Sequence, residues 1–594
     1  MASFAGFGGL SPSDLSVHPV ARRAGVRGVA AVVILLGSAV LLFARLGNYS
    51  LWTDEASTAI TARGVWNTGD TSAWLNDHNL LTYRNGLLLQ HQKDRYTSPL
   101  QFYVAAPFIG LLGDTAFACR LPFALCGMAT VCLMVWWLWC AQPPPMVWVA
   151  AIIILLGCPS FFLFQRQCRY YALATLLSTV VAYLYCNWNG SRWRLLSIGI
   201  AMALLLASQY LDYAAVVACL LIDYGIWGRR RRAIRGINWL ILIAPQILIA
   251  AIVCPIWNPI ARAASAIDPA NSPVTHAAIA ATSSHDWFSG FATLLWWNIR
   301  DLLACDFAML PLLMICPALY FFNSRGQRGR ADGYAPAAPV ERTGISAAAL
   351  RALLALLIFL GAIAFFTAHP ISGEGNAEVR YLAPLLPLCV GIGILTVWAM
   401  QPLKIWTRAV LLLLAGVSMF LSPGTSSATP IVQSSSISYC SELCQPATEP
   451  YSPLASWINT HVAPKATIYV CPDWCVSPTM WDAPGPTYVW QLSDPPKPDY
   501  ANLPAIYFKG RIAPDYLIAF GPYLSEIQDW QARLAARGFH YEPAATIPVY
   551  WKEMFRPELI WRSFNTIPAG KGEQIFIFRR ANTSSTEIRM TKLE

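Results

Sequence analysis

The stretch SPLQFYVAAPFIGLLG, residues 98–113, decides how this chain is threaded. It is one of seven apolar runs, beginning near residues 28, 98, 118, 146, 170, 195 and 211, that precede the basic block GRRRRAIRG at 228–236. Arg22, Arg23 and Arg27 come before the first run. Short basic loops stay on the cytoplasmic side. An even number of crossings must therefore separate the two basic stretches, so one of the seven runs does not span. Residues 98–113 are the shortest run before a break and contain Pro99 and Pro107. A crossing needs roughly 20 apolar residues. The expectation is a helix lying on the outer surface.

Composition agrees that the setting is a membrane. The chain has 594 residues, 56% hydrophobic and 12% charged, against about 25% charged in a soluble domain. The net charge of +10 is not a nucleic-acid signal, because much of it lies in short arginine clusters that set topology. The first run has no small-residue cleavage site after it and reads as a signal anchor. Parity then gives a cytoplasmic N-terminus over 1–27, a transmembrane region over 28–422 with a first external loop at 47–117, and about 11 crossings. After Gly236 one crossing is expected to lead out to a polar loop at about 258–290, followed by crossings near 303–322, 347–367, 381–400 and 405–422. WFSGFATLLWWNIRDLL, 287–303, carries Arg300 and Asp301 and is expected at the surface; as a span it would move the C-terminus to the cytoplasm.

The Ser/Thr/Pro linker SPGTSSATPIVQSSS opens a C-terminal region, 423–594, that reads as soluble α/β and extracytoplasmic. ATIYVC, DYLIAFG and EQIFIFRR read as strands. SEIQDWQARLAARG reads as a helix with a Ser525–Gln528 capping box, with Ile527, Trp530 and Leu534 on one face and Gly538 after its end. Of the 16 cysteines, Cys440, Cys444, Cys471 and Cys475 form two C-x-x-x-C pairs. Zinc is disfavoured by the spacing and the lack of a nearby His. Disulfides are the favoured reading outside the cytoplasm, with connectivity open.

The external polar residues are Asp54, Glu55, Lys93, Asp94 and Arg95 in the first loop, Arg166, Arg169, Tyr170 and Tyr171 in the second, Asp212 in the third, and His369, Glu374, Glu378 and Arg380 in the last. Carboxylates there can deprotonate a hydroxyl or hold a divalent cation, and arginines can bind phosphate. The bland readings weigh against each one singly. A loop Asp-Glu pair is usually only solvated, and Arg-Tyr at a helix start usually anchors at headgroups. Asp212 interrupts an apolar stretch, where ionisable groups tend to be functional or paired.

Taken in order, these residues resemble the GT-C membrane glycosyltransferases, in the protein O-mannosyltransferase and aminoarabinose transferase branch. LWTDEASTA resembles the branch's Asp-Glu loop. Residues 98–127, with Arg-Leu-Pro opening the next span, are similar to its surface helix and the span after it. QRQCRYYAL and RYLAPLLP (Arg380, Tyr381, Pro384, Pro387) are similar to its second external loop and its late Arg-Tyr element. Two departures stand out: Ser98 stands where members often carry His or Lys, and Arg169-Tyr170-Tyr171 where some carry Asp.

The resemblance implies a polyprenyl-phosphate sugar donor, an acceptor that is lipid, glycan or protein, and transfer at the external face of an inner or plasma membrane. It implies that Asp54 is the acid nearest the reaction. On that basis Asp54 is the expected general base, and Glu55 orients it or assists a metal. Arg380, with Arg169, Lys93 and Arg95, is the expected phosphate ligand set, with Tyr170, Tyr381 and Asp212 in support. The family includes members that need no metal, so a divalent cation on Asp54 and Glu55 is an option and no other cofactor is implied. The alternative function is a lipid or solute transporter or flippase, which would place ionisable groups near the midplane and often show repeats.

Overall fold

The computed structural model describes residues 17–72, 75–76, 78–79, 89–90, 93–94, 97–228, 233–257, 285–305, 339–367, 379–399, 406, 409–410, 412–413, 416, 435–444, 449–489, 513–549 and 573–581. Among these, six helices are long and apolar enough to cross a membrane, or seven if one bent pair is a single span. The protein is an integral membrane protein. The crossings expected near 303–322 and 405–422 lie for the most part outside the described residues.

Helix α1 (Val17–Phe43) buries Ala30, Ile34 and Leu42 against its neighbours and leaves Val29, Val32, Leu36 and Val40 exposed. An apolar outer face of that kind suits lipid. Next come α2 (Thr53–Thr68) and the short hairpin β1 (Leu89–Gln90) and β2 (Lys93–Asp94). Helix α3 (Leu100–Leu112) has 13 residues, about 20 Å of rise against a hydrocarbon core of about 30 Å. It is too short to cross. It buries Phe102, Ala105, Ala106 and Ile109, packs along α2, and leaves Leu111 and Leu112 exposed, as a helix lying at an interface would.

Helix α4 (Ala116–Ala141) is a full span, capped by Thr115, whose side chain accepts the Ala118 N–H at 3.1 Å. Helices α5 (Pro145–Leu156) and α6 (Pro159–Gln165) meet at 58°. The break is caused by Pro159, which lacks an N–H and disfavours helical geometry at the residue before it; Cys158 has φ −101° and ψ 81°. Helices α7 (Tyr171–Cys186), α8 (Arg192–Ser208) and α9 (Tyr210–Asp223) come next. Then come α10 (Ile237–Ile256), α11 (His285–Cys305) and α12 (Pro339–Thr367). Helix α11 contains the stretch expected at the surface; it is 21 residues long but is not among the helices apolar enough to cross. The RYLAPLLP element forms a 3-10 turn, Val379–Leu385, that runs into α13 (Leu386–Ala399). Pro387 falls in the first turn of α13, where its missing N–H costs nothing.

Helix α14 (Ser435–Cys444) follows the expected boundary at 423 in the chain and packs on the bundle. Tyr439 is buried in the membrane-bundle core and donates to the Leu41 carbonyl at 2.7 Å; Ser436 donates to the Gly157 carbonyl at 3.1 Å. This helix belongs to the bundle.

The α/β domain begins with α15 (Tyr451–His461). Its sheet has the order β4-β3-β5-β7-β6, formed by β3 (Thr467–Cys471), β4 (Thr487–Val489), β5 (Tyr516–Phe520), β6 (Tyr541–Val549) and β7 (Glu573–Arg580). β3 pairs in parallel with β4 and β5, and β7 is antiparallel to β5 and β6. Helices α16 (Val476–Asp482) and α17 (Leu524–Ala535) complete it. Side chains alternate across the sheet with period two. Tyr469, Leu517 and Ala519 pack with Ile527 and Leu534 of α17. Ile468, Val470, Ile518 and Ile575 share a core with α15, α16 and, continuously, with α2 and α3. The domain is thus seated on the loop that carries Asp54.

Two expectations are corrected here. Helix α17 starts at Leu524 with Tyr523 as N-cap and no side-chain cap. A 3-10 turn, Gly521–Tyr523, leads into it, which places Ser525 inside the first turn, out of capping position. Cys440, Cys444, Cys471 and Cys475 are thiols. Cys440 and Cys444 lie on α14, at the bundle, whereas Cys471 and Cys475 are buried in the α/β domain, so the two pairs do not meet.

Candidate active site

The site is built around a buried ion pair. Glu55 and Arg120 are each 1% exposed in their side chains. Arg120 donates to Glu55 from Nε at 2.9 Å and from Nη2 at 2.6 Å. Its remaining N–H groups go to the carbonyls of Leu46, Tyr49 and Ser50 at 3.1, 2.8 and 3.0 Å, so all its donors are met. Its guanidinium lies 4.0 Å over the Tyr49 ring. Glu55 also accepts the Cys168 backbone N–H at 2.7 Å. One carboxylate therefore ties α2, the end of α1, α4 and the loop after α6 together.

The residues one step along from this anchor, Asp54 and Arg169, are brought face to face. Arg169 Nη2 lies 3.8 Å from Asp54 Oδ2, and Nη1 reaches the Asp54 carbonyl at 3.4 Å and Thr58 Oγ1 at 3.0 Å. Arg380 arrives from the 3-10 turn and donates to the same Asp54 Oδ2 at 2.8 Å. Asp54 is in the first turn of α2, where the helix dipole favours a negative charge. Burial opposes the charge of Arg169, but the Asp54 carboxylate together with Tyr171 and Tyr170 outweighs it, and the pKa is held above the ordinary arginine value. Each arginine is followed by a tyrosine that it overlies: Arg169 is 5.6 Å from the Tyr170 ring centre and Arg380 is 5.4 Å from that of Tyr381. Guanidiniums bind phosphate oxygens through paired N–H groups, so the two arginines offer the chemistry of a phosphodiester site.

Other expected residues fall elsewhere. Glu55 is turned to Arg120 and the Cys168 amide, which corrects its expected place beside Asp54. Lys93 pairs with Asp70 at 2.6 Å on the hairpin, not with the Asp54 group. Arg95, His369, Glu374 and Glu378 lie outside the described residues. Asp212 is buried, 1% exposed. Arg166 donates to the Ala44 carbonyl at 2.7 Å and to the Tyr439 hydroxyl at 3.2 Å, so it fastens α14 to the end of α1. Sequence reasoning missed Arg120 as a central residue. The available signal was a charge within the apolar run ACRLPFALCG, since ionisable groups at membrane depth are seldom idle.

The described residues do not fit a divalent cation. Asp54 Oδ2 faces two guanidiniums, and both Glu55 oxygens accept hydrogen bonds from Arg120. Among the described residues no three His, Cys, Asp or Glu side chains converge.

No family model and no curated protein matches the sequence. Solved structures do resemble it in fold. ArnT from Cupriavidus metallidurans in the apo state is 14% identical, with a TM-score of 0.50 over 93% of this chain and 98% of that chain. The same protein bound to undecaprenyl phosphate is 14% identical, with a TM-score of 0.47 over the same shares, 93% and 98%. The archaeal oligosaccharyltransferase AglB from Archaeoglobus fulgidus, in complex with an inhibitory peptide and a dolichol-phosphate, is 10% identical, with a TM-score of 0.48 over 89% of this chain and 73% of that chain. At such identities the likeness to apo ArnT concerns architecture: the chain has the GT-C fold.

Proposed function

We propose that this protein transfers a glycosyl group from a polyprenyl-phosphate-linked donor to an acceptor hydroxyl at the membrane face where Asp54, Arg169 and Arg380 meet. The observation that carries this reading is the convergence of those three side chains from three distant parts of the chain. The GT-C fold supports it, as does the order of motifs shared with a branch whose donors are polyprenyl-phosphate sugars.

The donor is a phosphodiester with one negative charge. Its phosphate competes with Asp54 for Arg380 and Arg169. As it takes them, the Asp54 oxygen is handed over to the acceptor hydroxyl. The acceptor oxygen attacks the anomeric carbon, its proton passes to Asp54, and the bond from that carbon to the phosphate oxygen breaks. Polyprenyl phosphate leaves with the electron pair, and the arginines stabilise the charge gained. In this scheme the coupling between base and phosphate site is the ion pair itself. No step is assigned to a metal. Arg95 is kept as a phosphate ligand in this proposal; Lys93 would have to leave Asp70 to join it. The membrane is an inner or plasma membrane, and the α/β domain stands on its outer side with the Asp54 loop.

The test is Asp54→Asn, assayed for transfer from an undecaprenyl-phosphate sugar in membranes. General-base removal predicts a fall of about 10²–10⁴ in turnover. Near-normal turnover of correctly folded protein would refute the assignment.

A further inference from the structure

Three successive residues of α2 meet three different parts of the protein. Thr53 Oγ1 donates to the Trp474 carbonyl at 2.9 Å. Asp54 accepts from Arg380 and faces Arg169. Glu55 is held by Arg120 and the Cys168 amide. Successive helical residues point about 100° apart. The two neighbours of Asp54 are therefore tied to different bodies, Glu55 to the bundle and Thr53 to the α/β domain. A helix fixed at Glu55 alone is free to rock about that anchor. The N-cap of α2, Trp52, makes no side-chain cap bond, so the first turn takes its second tie from Thr53.

The carbonyl that receives Thr53 is itself fixed. Trp474 sits in a 3-10 turn, Asp473–Cys475, between β3 and α16. The Cys475 amide donates to the Pro472 carbonyl at 3.0 Å, and Thr479 of α16 donates to the Cys475 carbonyl at 2.7 Å. Cys475, Val476 and Met480 share a core with Ala56, Ala59 and Ile60 of α2. Docking of the domain has other bonds as well. Ser50 Oγ donates to Glu449 at 3.1 Å and lies 3.1 Å from Ser452 Oγ. Asn79 donates to the Pro484 carbonyl at 2.7 Å and accepts the Tyr488 amide at 3.1 Å. None of these involves a residue adjoining Asp54, so loss of the Thr53 bond leaves the domain in place and changes only what holds the first turn of α2.

We propose that Thr53 is a positioning residue for the transfer, and that the α/β domain, through the Trp474 carbonyl, is a working part of the active site. This rests on the glycosyl-transfer reading above. Thr53 touches neither donor nor acceptor. It sets the rotation of the first turn so that Asp54 faces the acceptor oxygen. A misplacement of about 1 Å in a reacting group can cost about 100-fold in rate.

The experiment uses the full-length protein and three variants. Thr53→Val keeps the shape and removes the donor; Thr53→Ser restores a hydroxyl; Ser452→Ala removes one interdomain hydrogen bond away from Asp54. Turnover is read in native membranes as release of undecaprenyl phosphate from a panel of undecaprenyl-phosphate pentoses and hexoses. Binding of undecaprenyl phosphate and thermal melting are read in nanodiscs. On the donor that the wild type uses best, Thr53→Val should lose about 10- to 100-fold in kcat with donor KM, undecaprenyl phosphate binding and melting close to wild type. Thr53→Ser should recover most of the loss, and Ser452→Ala should turn over as the wild type does. Wild-type turnover in Thr53→Val, an equal fall in Thr53→Ser or Ser452→Ala, or loss of undecaprenyl phosphate binding in Thr53→Val would overturn the role of Thr53 while leaving the glycosyl-transfer reading standing. Failure of the wild type to release undecaprenyl phosphate from every member of the panel would overturn that reading itself, and the role of Thr53 with it.

Discussion

Glu55→Gln separates anchoring from chemistry. In the wild type both ends of the Glu55–Arg120 pair are 1% exposed, and the carboxylate takes two Arg120 N–H groups as well as the Cys168 amide. The amide of Gln can keep one acceptor oxygen, but its NH₂ then faces the guanidinium, donor to donor. Arg120 is left charged and without a counter-ion. Breaking a buried pair from one side costs about 3–5 kcal/mol. That is roughly two to four powers of ten in the equilibrium between closed and open loop, at about 1.4 kcal/mol per tenfold. Removing both charges with Glu55→Gln/Arg120→Met should recover part of the loss, since no buried charge remains uncompensated. Thermal melting in nanodiscs reads the stability, and limited proteolysis of the loop at 46–59 reads the opening. The single variant should melt early and be cut quickly, and the double variant should sit between it and the wild type. A Glu55→Gln protein with wild-type melting and no transfer activity would refute this account and return Glu55 to the chemistry.

Arg380→Lys keeps a charge but loses the planar fork, so donor binding should weaken by about 10-fold and Arg380→Gln by more; equal binding by all three proteins would remove Arg380 from the phosphate site. Gly64→Ala should destabilise the first loop by about 1–3 kcal/mol, because a Cβ there would lie 1.9 Å from the Ser72 carbonyl oxygen; unchanged melting would show that the α2 turn yields. Burial pushes the Asp482 carboxyl up to about 6, from an ordinary value of 3.8. Because the folded form holds this proton more tightly, the associated stability is full below the unfolded value and lost as pH rises through about 6. Asp482→Asn should therefore raise melting at pH 7 with little change at pH 4, and an equal shift at both would contradict the titration.

Why some of this was legible in the sequence, and some not, comes down to the range of the interactions. The short surface helix could be read because helix length against bilayer thickness is a local property, and Pro99 and Pro107 only reinforced it. Strands β3, β5 and β7 were legible for the same reason: runs of β-branched and aromatic residues. Strand β6 was not, since Pro543 and Pro548 argue against a strand. It survives because it is the edge of the sheet, where a missing N–H breaks no ladder bond. The Ser525 cap failed because the 3-10 turn before it, set by packing, began the helix two residues earlier.

The site divides along the same line. Asp54, Arg169 and Arg380 could be named because Asp54 belongs to an acidic pair after the first apolar run and each arginine precedes a tyrosine at a helix start, and parity placed them on one face. Their partners could not be named, because pairing depends on contacts across more than a hundred positions. Asp54 and Glu55 show this most directly. As neighbours in sequence they look like one acidic patch, and both were expected to work together. Successive helical residues point about 100° apart. One carboxylate is therefore turned into the protein, where Arg120 must neutralise it. The other is held by two arginines and stays 23% exposed. The buried pair sets the positions of Asp54 and Arg169 through the covalent chain on either side of it. A change at Glu55 or Arg120 should thus abolish transfer without either residue touching the donor, and only a measurement of folding alongside activity will tell that loss from the loss caused at Asp54.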